Sequence, residues 1–319
     1  MPDTAASTDL SAELQSVWPG ACVLSLRAIP ESHSGFTYMV EAELEGVSVG
    51  GVLRLPPPGA RPLGPADVGR QGRIMSALHA AGIPVPAILA SSDEPVLDGR
   101  PFVLMERVPG VRIEEALAYA SPQELVAEAF ATARRLHEVP PARTGIGEEA
   151  PTSAVEEVQR WQGLRTRAPE ELLARAGELE ERLLGFPPAA RPPALVHGDY
   201  HLGNLLFTDG GVVAILDWEI AELGQPPLDE AALCLLAIRA PFGEPQPGAA
   251  AALPLEEMVR LADAGPDFDW YLAATCHKYA SILGYNLGLH RRGRRVDPVY
   301  EELLTTIPGL VEAGLRFVA

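Results

Sequence analysis

The chain has few cysteines, few basic residues and no apolar run long enough to cross a membrane. Its three cysteines, Cys22, Cys234 and Cys276, lie far apart, and an odd number of scattered cysteines favours reduced thiols over a disulfide framework or a zinc site. Residues 1–20 lack the cationic start and apolar middle of a secretory signal. We therefore expect a cytoplasmic protein that does not associate with membranes.

Acidic residues outnumber basic ones, with 43 Asp and Glu against 25 Lys and Arg and a formal net charge of −18. This balance argues against nucleic acid as the main partner, because phosphate backbones attract basic surfaces. The acidity either attracts a cationic substrate or serves only solubility, and composition does not separate these two interpretations. A chain of 319 residues, 47% of them hydrophobic, is long enough to form one large globular domain or two lobes.

The stretch 195–218 alternates short apolar runs with polar loops. Asp199 and Asn204 follow the first run, and Asp217 follows the last, after a turn at 209–211. This pattern predicts buried strands with polar residues at their ends. Phosphoryl transfer from a nucleotide needs an acid that orients a hydroxyl and hard oxygen ligands for magnesium, and these three residues are of those types. The alternative is a hairpin whose polar ends are merely solvated.

His-Gly-Asp at 197–199, Asn204 and Leu-Asp-Trp at 216–218 together resemble the aminoglycoside phosphotransferase and choline-kinase branch of the protein-kinase-like fold. The resemblance implies that Asp199 is the catalytic base. It also implies that Asn204 and Asp217 are the ligands of a magnesium ion.

The same resemblance implies roles for two further residues, His201 and Asp229. His201 is expected to lie near the transferred phosphate and is included among the catalytic residues. Asp229, in a Pro-Pro-Leu-Asp-Glu stretch, matches a buried structural aspartate that braces the catalytic loop.

The resemblance also implies an architecture. The expected fold class is α+β, with a small lobe made of an antiparallel sheet plus one helix and a larger, mainly helical lobe. We expect an N-terminal helical extension at 1–20, a nucleotide-binding lobe at 21–107 and a catalytic and substrate lobe at 108–319.

Two features of the small lobe correspond to phosphate contacts in that family. Ser34 and Gly35 lie in a loop before an alternating strand, where backbone N–H groups would cover the phosphates. Its single glycine also suits an ordinary hairpin turn. Arg54 stands where the family carries a strand cation that pairs with the α- and β-phosphates, and an exposed strand arginine is the alternative.

The next helix departs from the family pattern, because Gln71 occupies the position of a glutamate that pairs with the strand cation. Asp67 lies one turn earlier on the same face and is a possible substitute. A neutral amide binds a cation less strongly than a carboxylate does. We therefore expect Arg54 to be poorly fixed in the free protein, and the departure favours a degenerate kinase.

The strand at 102–106 runs into a Pro-Gly turn and resembles the hinge between lobes. By that resemblance the adenine ring lies against the Glu106 carbonyl and the Val108 N–H, with Met105 behind it. An edge strand with a terminating turn explains the same residues without a ligand.

The sequence therefore predicts a phosphotransferase that uses ATP or GTP with Mg²⁺ and acts on a hydroxyl of a small molecule, either aminoglycoside-like or another metabolite or antibiotic. The stretches Leu-Arg-Leu-Pro-Pro-Pro-Gly and Met-Glu-Arg-Val-Pro-Gly resemble the branch associated with acyl-CoA dehydrogenase-like proteins and antibiotic pathways. The alternatives are a kinase-fold protein that binds a ligand without transfer, and different chemistry on the same fold. Neither the acceptor nor the oligomeric state follows from the sequence.

Four arginines lie within residues 291–295, after a long predicted helix. They suit a phosphate-bearing substrate such as a coenzyme A ester. They also suit a helix C-terminus, where cations interact favourably with the macrodipole.

Overall fold

The computed structural model describes residues 4–29, 36–209, 211–242, 248–263 and 265–319, so the predicted contacts of Ser34 and Gly35 lie outside the described residues. The strands are β1 Ala21–Ala28, β2 Phe36–Leu44, β3 Val47–Leu55, β4 Ile88–Leu97, β5 Arg100–Glu106, β6 Ala194–Val196, β7 Leu205–Thr208, β8 Gly211–Ile215 and β9 Glu222–Gly224. The α-helices are α1 Thr4–Val17, α2 Val68–Ala80, α3 Ile113–Ala116, α4 Pro122–His137, α5 Ala154–Arg165, α6 Ala176–Gly185, α7 Pro227–Arg239, α8 Leu255–Ala262, α9 Phe268–Arg291, α10 Val299–Glu302 and α11 Thr306–Phe317.

The chain divides into two compact units, each built from several segments. Unit 1 comprises Met1–Gly110, Val139–Glu148 and Val213–Ala221, and unit 2 comprises Val111–Glu138, Glu149–Val212 and Glu222–Ala319. Within the part of the chain that the structure describes, no helix is both long and apolar enough to cross a membrane.

Unit 1 contains a five-stranded antiparallel sheet in the order β1-β2-β3-β5-β4. The predicted alternation in β2 is present, since Val40 and Ala42 are buried between more exposed neighbours. Leu14 of helix α1 and Trp18, just after that helix, belong to the same apolar core as Leu53 of β3. This core fixes the strands that carry the predicted nucleotide contacts.

Helix α2 approaches the sheet of unit 1 closely because it carries two glycines. A Cβ atom on Gly72 would lie 3.3 Å from the side chain of Val103, and one on Gly69 would lie 1.6 Å from a carboxylate oxygen of Asp93. These glycines cost helix stability relative to alanine, about 1 kcal/mol each, but they leave the space that the sheet occupies.

Unit 2 is mainly helical, and its longest helix, α9, has 24 residues. Most of α9 from Phe268 to Ser281 is buried, which is typical of a helix surrounded by other helices. The short strands β6 and β9 pair antiparallel, with Val196 opposite Glu222. Strand β6 therefore ends against a fixed partner at the point where the 197–204 loop begins.

Helix α4 begins with a capping box formed by Ser121 and Glu124. Ser121 Oγ accepts from the Glu124 N–H at 3.3 Å, and the Ser121 N–H donates to the Glu124 carboxylate at 2.9 Å. The helix ends at His137 and so presents this imidazole to α7.

Candidate active site

The loop that follows β6 is held by one buried carboxylate. Asp229, near the start of α7, accepts the N–H of His197 at 2.8 Å through Oδ2 and the N–H of Gly198 at 2.9 Å through Oδ1. Gly198 has a φ of +81°, which is strained for any side chain that carries a Cβ. The prediction that Asp229 braces this loop is confirmed by these two hydrogen bonds.

The charge of Asp229 is balanced within unit 2. His137 Nε2 lies 3.0 Å from Asp229 Oδ2. Complete burial would raise the pKa of Asp229, but the hydrogen bond and charge of His137, together with His197, lower it below its ordinary value. Asp229 is therefore an ionised acceptor that fixes two consecutive N–H groups immediately before Asp199.

Asp199 lies at the centre of the site in unit 2. Its Oδ1 accepts a short hydrogen bond from the hydroxyl of Tyr279, and its Oδ2 lies 3.6 Å from His201 Nε2. Burial would raise the pKa of Asp199, but His201, Lys278 and Tyr279 together hold it well below its usual range. The carboxylate is thus ionised and directed by its neighbours, as a group that orients a hydroxyl must be.

His201 has a defined orientation because its two ring nitrogens have different partners. Nδ1 accepts the Gly203 N–H at 3.1 Å, so in the neutral ring the proton is on Nε2, the atom that faces Asp199. The structure therefore places His201 beside the predicted base and makes it the N-terminal cap of the turn that carries Asn204.

Asn204 presents an oxygen that suits a hard cation. Its amide nitrogen donates to the Asp199 carbonyl at 2.9 Å and lies 3.3 Å from Asp199 Oδ2. A carboxylate oxygen accepts an N–H and repels an amide oxygen, so this contact fixes the orientation of the amide. Within the described residues no hydrogen bond to Asn204 Oδ1 is found. The donor set therefore fits Mg²⁺, which takes few protein oxygens and completes its shell with water and phosphate.

Sequence reasoning missed two residues of α9, Lys278 and Tyr279, that contact the 197–204 loop. Lys278, the only lysine in the chain, donates to the Gly198 carbonyl, and its Nζ lies 4.9 Å from the ring centroid of Trp161. Its Nζ is also 4.0 Å from Glu157 Oε1, which balances the charge of a buried ammonium. A lone lysine within an apolar helix was the available signal for Lys278. Tyr279 belongs to an aromatic series that suggests only core packing.

We expect Tyr279→Phe to lower turnover about tenfold while leaving nucleotide affinity unchanged. The variant removes one hydrogen bond to an ionised group, and a tenfold rate loss corresponds to about 1.4 kcal/mol. Because this hydrogen bond favours the carboxylate, its loss raises the pKa of Asp199 and moves the acid limb of the pH–rate profile to higher pH.

The matched control for this variant is Tyr271→Phe on the same helix. Tyr271 is buried, and its hydroxyl has no hydrogen-bond partner among the described residues. An acid limb that stays in place in Tyr279→Phe, or moves equally in Tyr271→Phe, would contradict the role of the Tyr279 hydroxyl.

In unit 1, Arg54 and Asp217 are in contact. Arg54 Nη1 lies 3.0 Å from Asp217 Oδ1, and its Nη2 lies 3.4 Å from Glu219 Oε2. The expectation that Arg54 is poorly fixed in the free protein is therefore wrong, because two carboxylates after β8 supply the negative charge. Sequence spacing did not reveal this arrangement, since these acids lie more than 160 residues from Arg54.

Asp217 lies in a tight turn after β8. Its φ is +65°, in a left-handed conformation that Asp tolerates better than bulkier residues do. The buried Trp218 donates from Nε1 to the Ile215 carbonyl at 2.9 Å, which closes the turn. The turn thus holds the backbone of Asp217, the predicted metal ligand, in a fixed conformation.

Gln71 and Asp67 belong to different environments. Gln71 is buried on α2, and Asp67 is the N-cap of that helix, with Oδ1 accepting the Arg70 N–H at 2.9 Å. The capping contact gives Asp67 a structural role of its own and argues against Asp67 as a substitute for the family glutamate.

The three predicted adenine contacts lie at the end of β5 and just beyond it. Met105 is buried and opposite Val52 of β3, and the Glu106 N–H donates to the Ala87 carbonyl at 2.8 Å. Within the described part of the chain the Val108 N–H has no hydrogen-bond partner. A free N–H beside a buried apolar side chain is what recognition of a purine edge requires.

A family model described as the phosphotransferase enzyme family matches residues 26–264. Since this match spans well over half of the sequence, the chain belongs to that family. The identification agrees with the order of the motifs around Asp199 and Asp217.

The curated relatives are longer proteins. The chain is 33% identical to acyl-CoA dehydrogenase family member 10 of Mus musculus over 198 residues, covering 58% of this chain and 18% of that protein. It is 27% identical to acyl-CoA dehydrogenase family member 11 of the same species over 296 residues, covering 83% of this chain and 37% of that protein. Protein StrN of Streptomyces griseus is 41% identical over 91 residues, covering 28% of this chain and 26% of StrN. The chain thus spans much less than two thirds of each relative.

Solved structures share the fold along the whole chain. A protein from Ralstonia eutropha described as an aminoglycoside phosphotransferase has a TM-score of 0.76 at 23% identity and covers 99% of this chain and 98% of its own. A mutant of aminoglycoside phosphotransferase APH(4)-Ia, bound to AMP-PNP and hygromycin B, has a TM-score of 0.67 at 16% identity, with 97% and 98% coverage. The predicted protein-kinase-like α+β fold is therefore confirmed.

Proposed function

We propose that this protein transfers the γ-phosphoryl group of a nucleoside triphosphate to a hydroxyl of a small molecule. The observation that carries the proposal is the environment of Asp199, whose carboxylate is ionised and held by Tyr279 beside His201 and Asn204. Membership of a phosphotransferase family supports the reaction type.

Asp199 accepts a hydrogen bond from the acceptor hydroxyl and orients its oxygen toward the γ-phosphorus. A bond forms between these two atoms, the bond from phosphorus to the β–γ bridging oxygen breaks, and the hydroxyl proton passes to Asp199. The lowered pKa makes Asp199 a weak base, so the proton transfers late, when bond formation has made the hydroxyl acidic. Positioning therefore provides most of the catalysis, as is usual for phosphoryl transfer.

Magnesium, when bound, neutralises the charge of the phosphates. The amide oxygen of Asn204 and the carboxylate of Asp217 are the protein ligands that we assign to it, and both are hard oxygen donors. His201 directs its Nε2 proton toward the Asp199 carboxylate and so keeps that carboxylate oriented when the acceptor is absent.

The nucleotide contacts are assigned to unit 1. Arg54 exchanges its ion pairs with Asp217 and Glu219 for phosphate oxygens, which an arginine fork binds in two-point contacts. The AMP-PNP complex of APH(4)-Ia and the GDP complex of aminoglycoside 2'-phosphotransferase-IIIa, a second structural neighbour, support nucleotide binding and leave both ATP and GTP as donors. The remaining assigned contacts are those of Ser34, Gly35, Gln71, Met105, Glu106 and Val108.

We expect Asp217→Ala to remove most of the magnesium dependence of nucleotide affinity. The variant deletes the only charged protein ligand that we assign to the metal. It keeps the ion pair between Arg54 and Glu219, so metal-free nucleotide binding is retained. Titration of a non-hydrolysable nucleotide with and without Mg²⁺ measures both effects. Equal magnesium dependence in the wild-type protein and the variant would contradict the assignment.

A second candidate is a protein that binds nucleotide without transferring phosphate, which Gln71 in place of a glutamate favours. Nucleotide consumption with a panel of hydroxyl compounds separates the candidates. The panel includes cationic aminoglycosides, neutral alcohols and hydroxy acids with and without a phosphate group. The proposal expects acceptor-dependent consumption, whereas binding without consumption on any acceptor would favour the second candidate.

A further inference from the structure

A shallow cavity of about 420 Å³ lies at the C-terminal end of α9 in unit 2. It is lined by three arginines, one tyrosine and one leucine: Arg167, Arg292, Arg294, Tyr285 and Leu289. We call this cavity the arginine groove. Its composition combines fixed positive charge with one aromatic face and one apolar side chain.

Among the described residues, the arginines that line the groove lack the side-chain partners that two nearby arginines of the chain have. Arg291 is ion-paired with Glu301 at 2.8 Å and lies 3.7 Å from Glu171, and Arg295 donates to Asn286 at 3.0 Å. By contrast, Arg167, Arg292 and Arg294 form no ion pair with any carboxylate among the described residues. The chain as a whole carries a net charge of −18, so carboxylates are abundant. Three arginines that line one cavity and form no ion pair with a described carboxylate therefore indicate an anion-binding site.

The helix macrodipole does not account for the groove, because Arg167 belongs to the segment after α5. Two glycines of α9 bring that segment close. A Cβ atom on Gly284 would lie 3.0 Å from Ala168 Cβ, and one on Gly288 would lie 3.3 Å from the Arg167 carbonyl. Arg292 also donates to that carbonyl at 3.5 Å. The groove is therefore assembled from two chain segments that are packed together.

The groove is also aligned with the catalytic loop along α9. Tyr285 and Leu289 follow Lys278 at intervals of 7 and 11 residues, which places all three on one face of the helix, and Arg292 is the C-cap of the same helix. Tyr285 lies about 10 Å along the axis from Lys278, at 1.5 Å per residue. Lys278 in turn contacts Gly198 of the catalytic loop.

We infer that the arginine groove binds a phosphate-bearing small molecule. Guanidinium groups bind phosphate oxygens through paired, charge-assisted hydrogen bonds. Tyr285 offers a ring face and a hydroxyl, and Leu289 an apolar contact, so the ligand carries an organic part as well as the phosphate. The inference goes beyond the proposed function and stands independently of it, because binding to the groove requires no phosphoryl transfer.

The test is calorimetric titration of inorganic pyrophosphate into the full chain at about 0.15 M salt, where long-range charge effects are screened. We expect saturable binding in the wild-type protein. The affinity should fall at least about tenfold in Arg292→Gln/Arg294→Gln, because this double variant loses charge-assisted hydrogen bonds to the phosphate. All four arginines at 291–295 lie near the surface, and thermal unfolding of each variant verifies that it is folded.

The matched control is Arg291→Gln/Arg295→Gln, which removes the same charge from the same segment but leaves the groove lining intact. We expect it to bind pyrophosphate within about twofold of the wild-type protein. Arg54→Gln is titrated in parallel, because pyrophosphate also resembles the phosphates of a nucleotide. Equal weakening in both double variants, a loss only in Arg54→Gln, or no saturable binding would overturn the inference.

The phosphate group belongs either to the acceptor or to a separate ligand, and kinetics on the acceptor panel distinguishes these sources. If the acceptor carries it, phosphate-bearing acceptors have a raised KM in Arg292→Gln/Arg294→Gln, while phosphate-free acceptors do not. If a separate ligand carries it, pyrophosphate changes the turnover of phosphate-free acceptors in the wild-type protein but not in this variant. Failure of the kinase proposal would leave the binding result unaffected.

Discussion

Asp199→Asn should lose roughly two to four powers of ten in turnover while it binds nucleotide nearly normally. The amide keeps the size of the side chain, but it no longer accepts a proton from the acceptor hydroxyl. Its neutral oxygen also accepts more weakly from Tyr279, which now donates to an anion. The rate loss should appear in kcat, because Asp199 acts on the reacting hydroxyl more than on nucleotide binding.

The control for this variant is Asp209→Asn, the same substitution ten residues further along. Asp209 is exposed in the turn between β7 and β8, and its φ of +50° is one that asparagine also tolerates. Turnover in Asp209→Asn should remain within about twofold of the wild-type rate. Steady-state and single-turnover rates of both variants check this expectation, and an unchanged rate in Asp199→Asn would exclude Asp199 from the mechanism.

Asp229→Ala should destabilise unit 2 by about 3–5 kcal/mol, the usual cost of breaking a buried charged pair. It leaves the N–H groups of His197 and Gly198 without their acceptor and His137 without its partner. Hydrogen exchange of the 195–204 peptide should become faster, because the loop loses two anchors. Glu256→Ala, at an exposed acid near the start of α8, should change stability by no more than about 0.5 kcal/mol.

The pH dependence of this effect has a defined sign. The pKa of Asp229 is lowered by folding, so its contribution to stability is present above the unfolded pKa of about 3.9 and is lost as the pH falls through the folded value. The stability difference between the wild-type protein and Asp229→Asn should therefore be largest near neutral pH and shrink below about pH 4. A difference that is constant with pH would mean that folding does not shift the pKa of Asp229, and one that shrinks as the pH rises above about 4 would mean that Asp229 is protonated in the folded protein.

The core of the candidate site could be predicted from the sequence because it is local. Asp199, His201 and Asn204 lie within six residues, and their hydrogen bonds follow from the turn that joins β6 to β7. Asp229 could be predicted only through the family resemblance, since it lies about 30 residues away. Local spacing thus reveals which predicted site residues lie together, but not which remote residues hold them.

The contacts of Tyr279 and Lys278 could not be predicted, because 80 residues separate each from its partner in the loop. Their positions depend on how α9 packs against α5 and α7, which hydrophobic periodicity does not specify. An aromatic residue on a buried helix normally indicates core packing, and nothing local distinguishes Tyr279 from Tyr271. Tertiary packing alone gives the Tyr279 hydroxyl its charged partner.

The environment of Arg54 shows a different limit of sequence reasoning. Comparison with the family pattern draws attention to Gln71, the residue that departs from it. The structure shows that Asp217 and Glu219 supply the negative charge instead. A missing carboxylate at one position therefore does not imply an unfixed cation, because a carboxylate remote in sequence can replace it.

Phosphorus NMR of the reaction mixture tests the central claim most directly. The full chain is incubated with Mg²⁺, ATP or GTP and an acceptor selected from the panel. The account predicts a new phosphate ester resonance that grows in equal amount with the nucleoside diphosphate and is absent in Asp199→Asn. Conversion of the nucleotide to diphosphate and inorganic phosphate, with no ester formed on any acceptor, would contradict it.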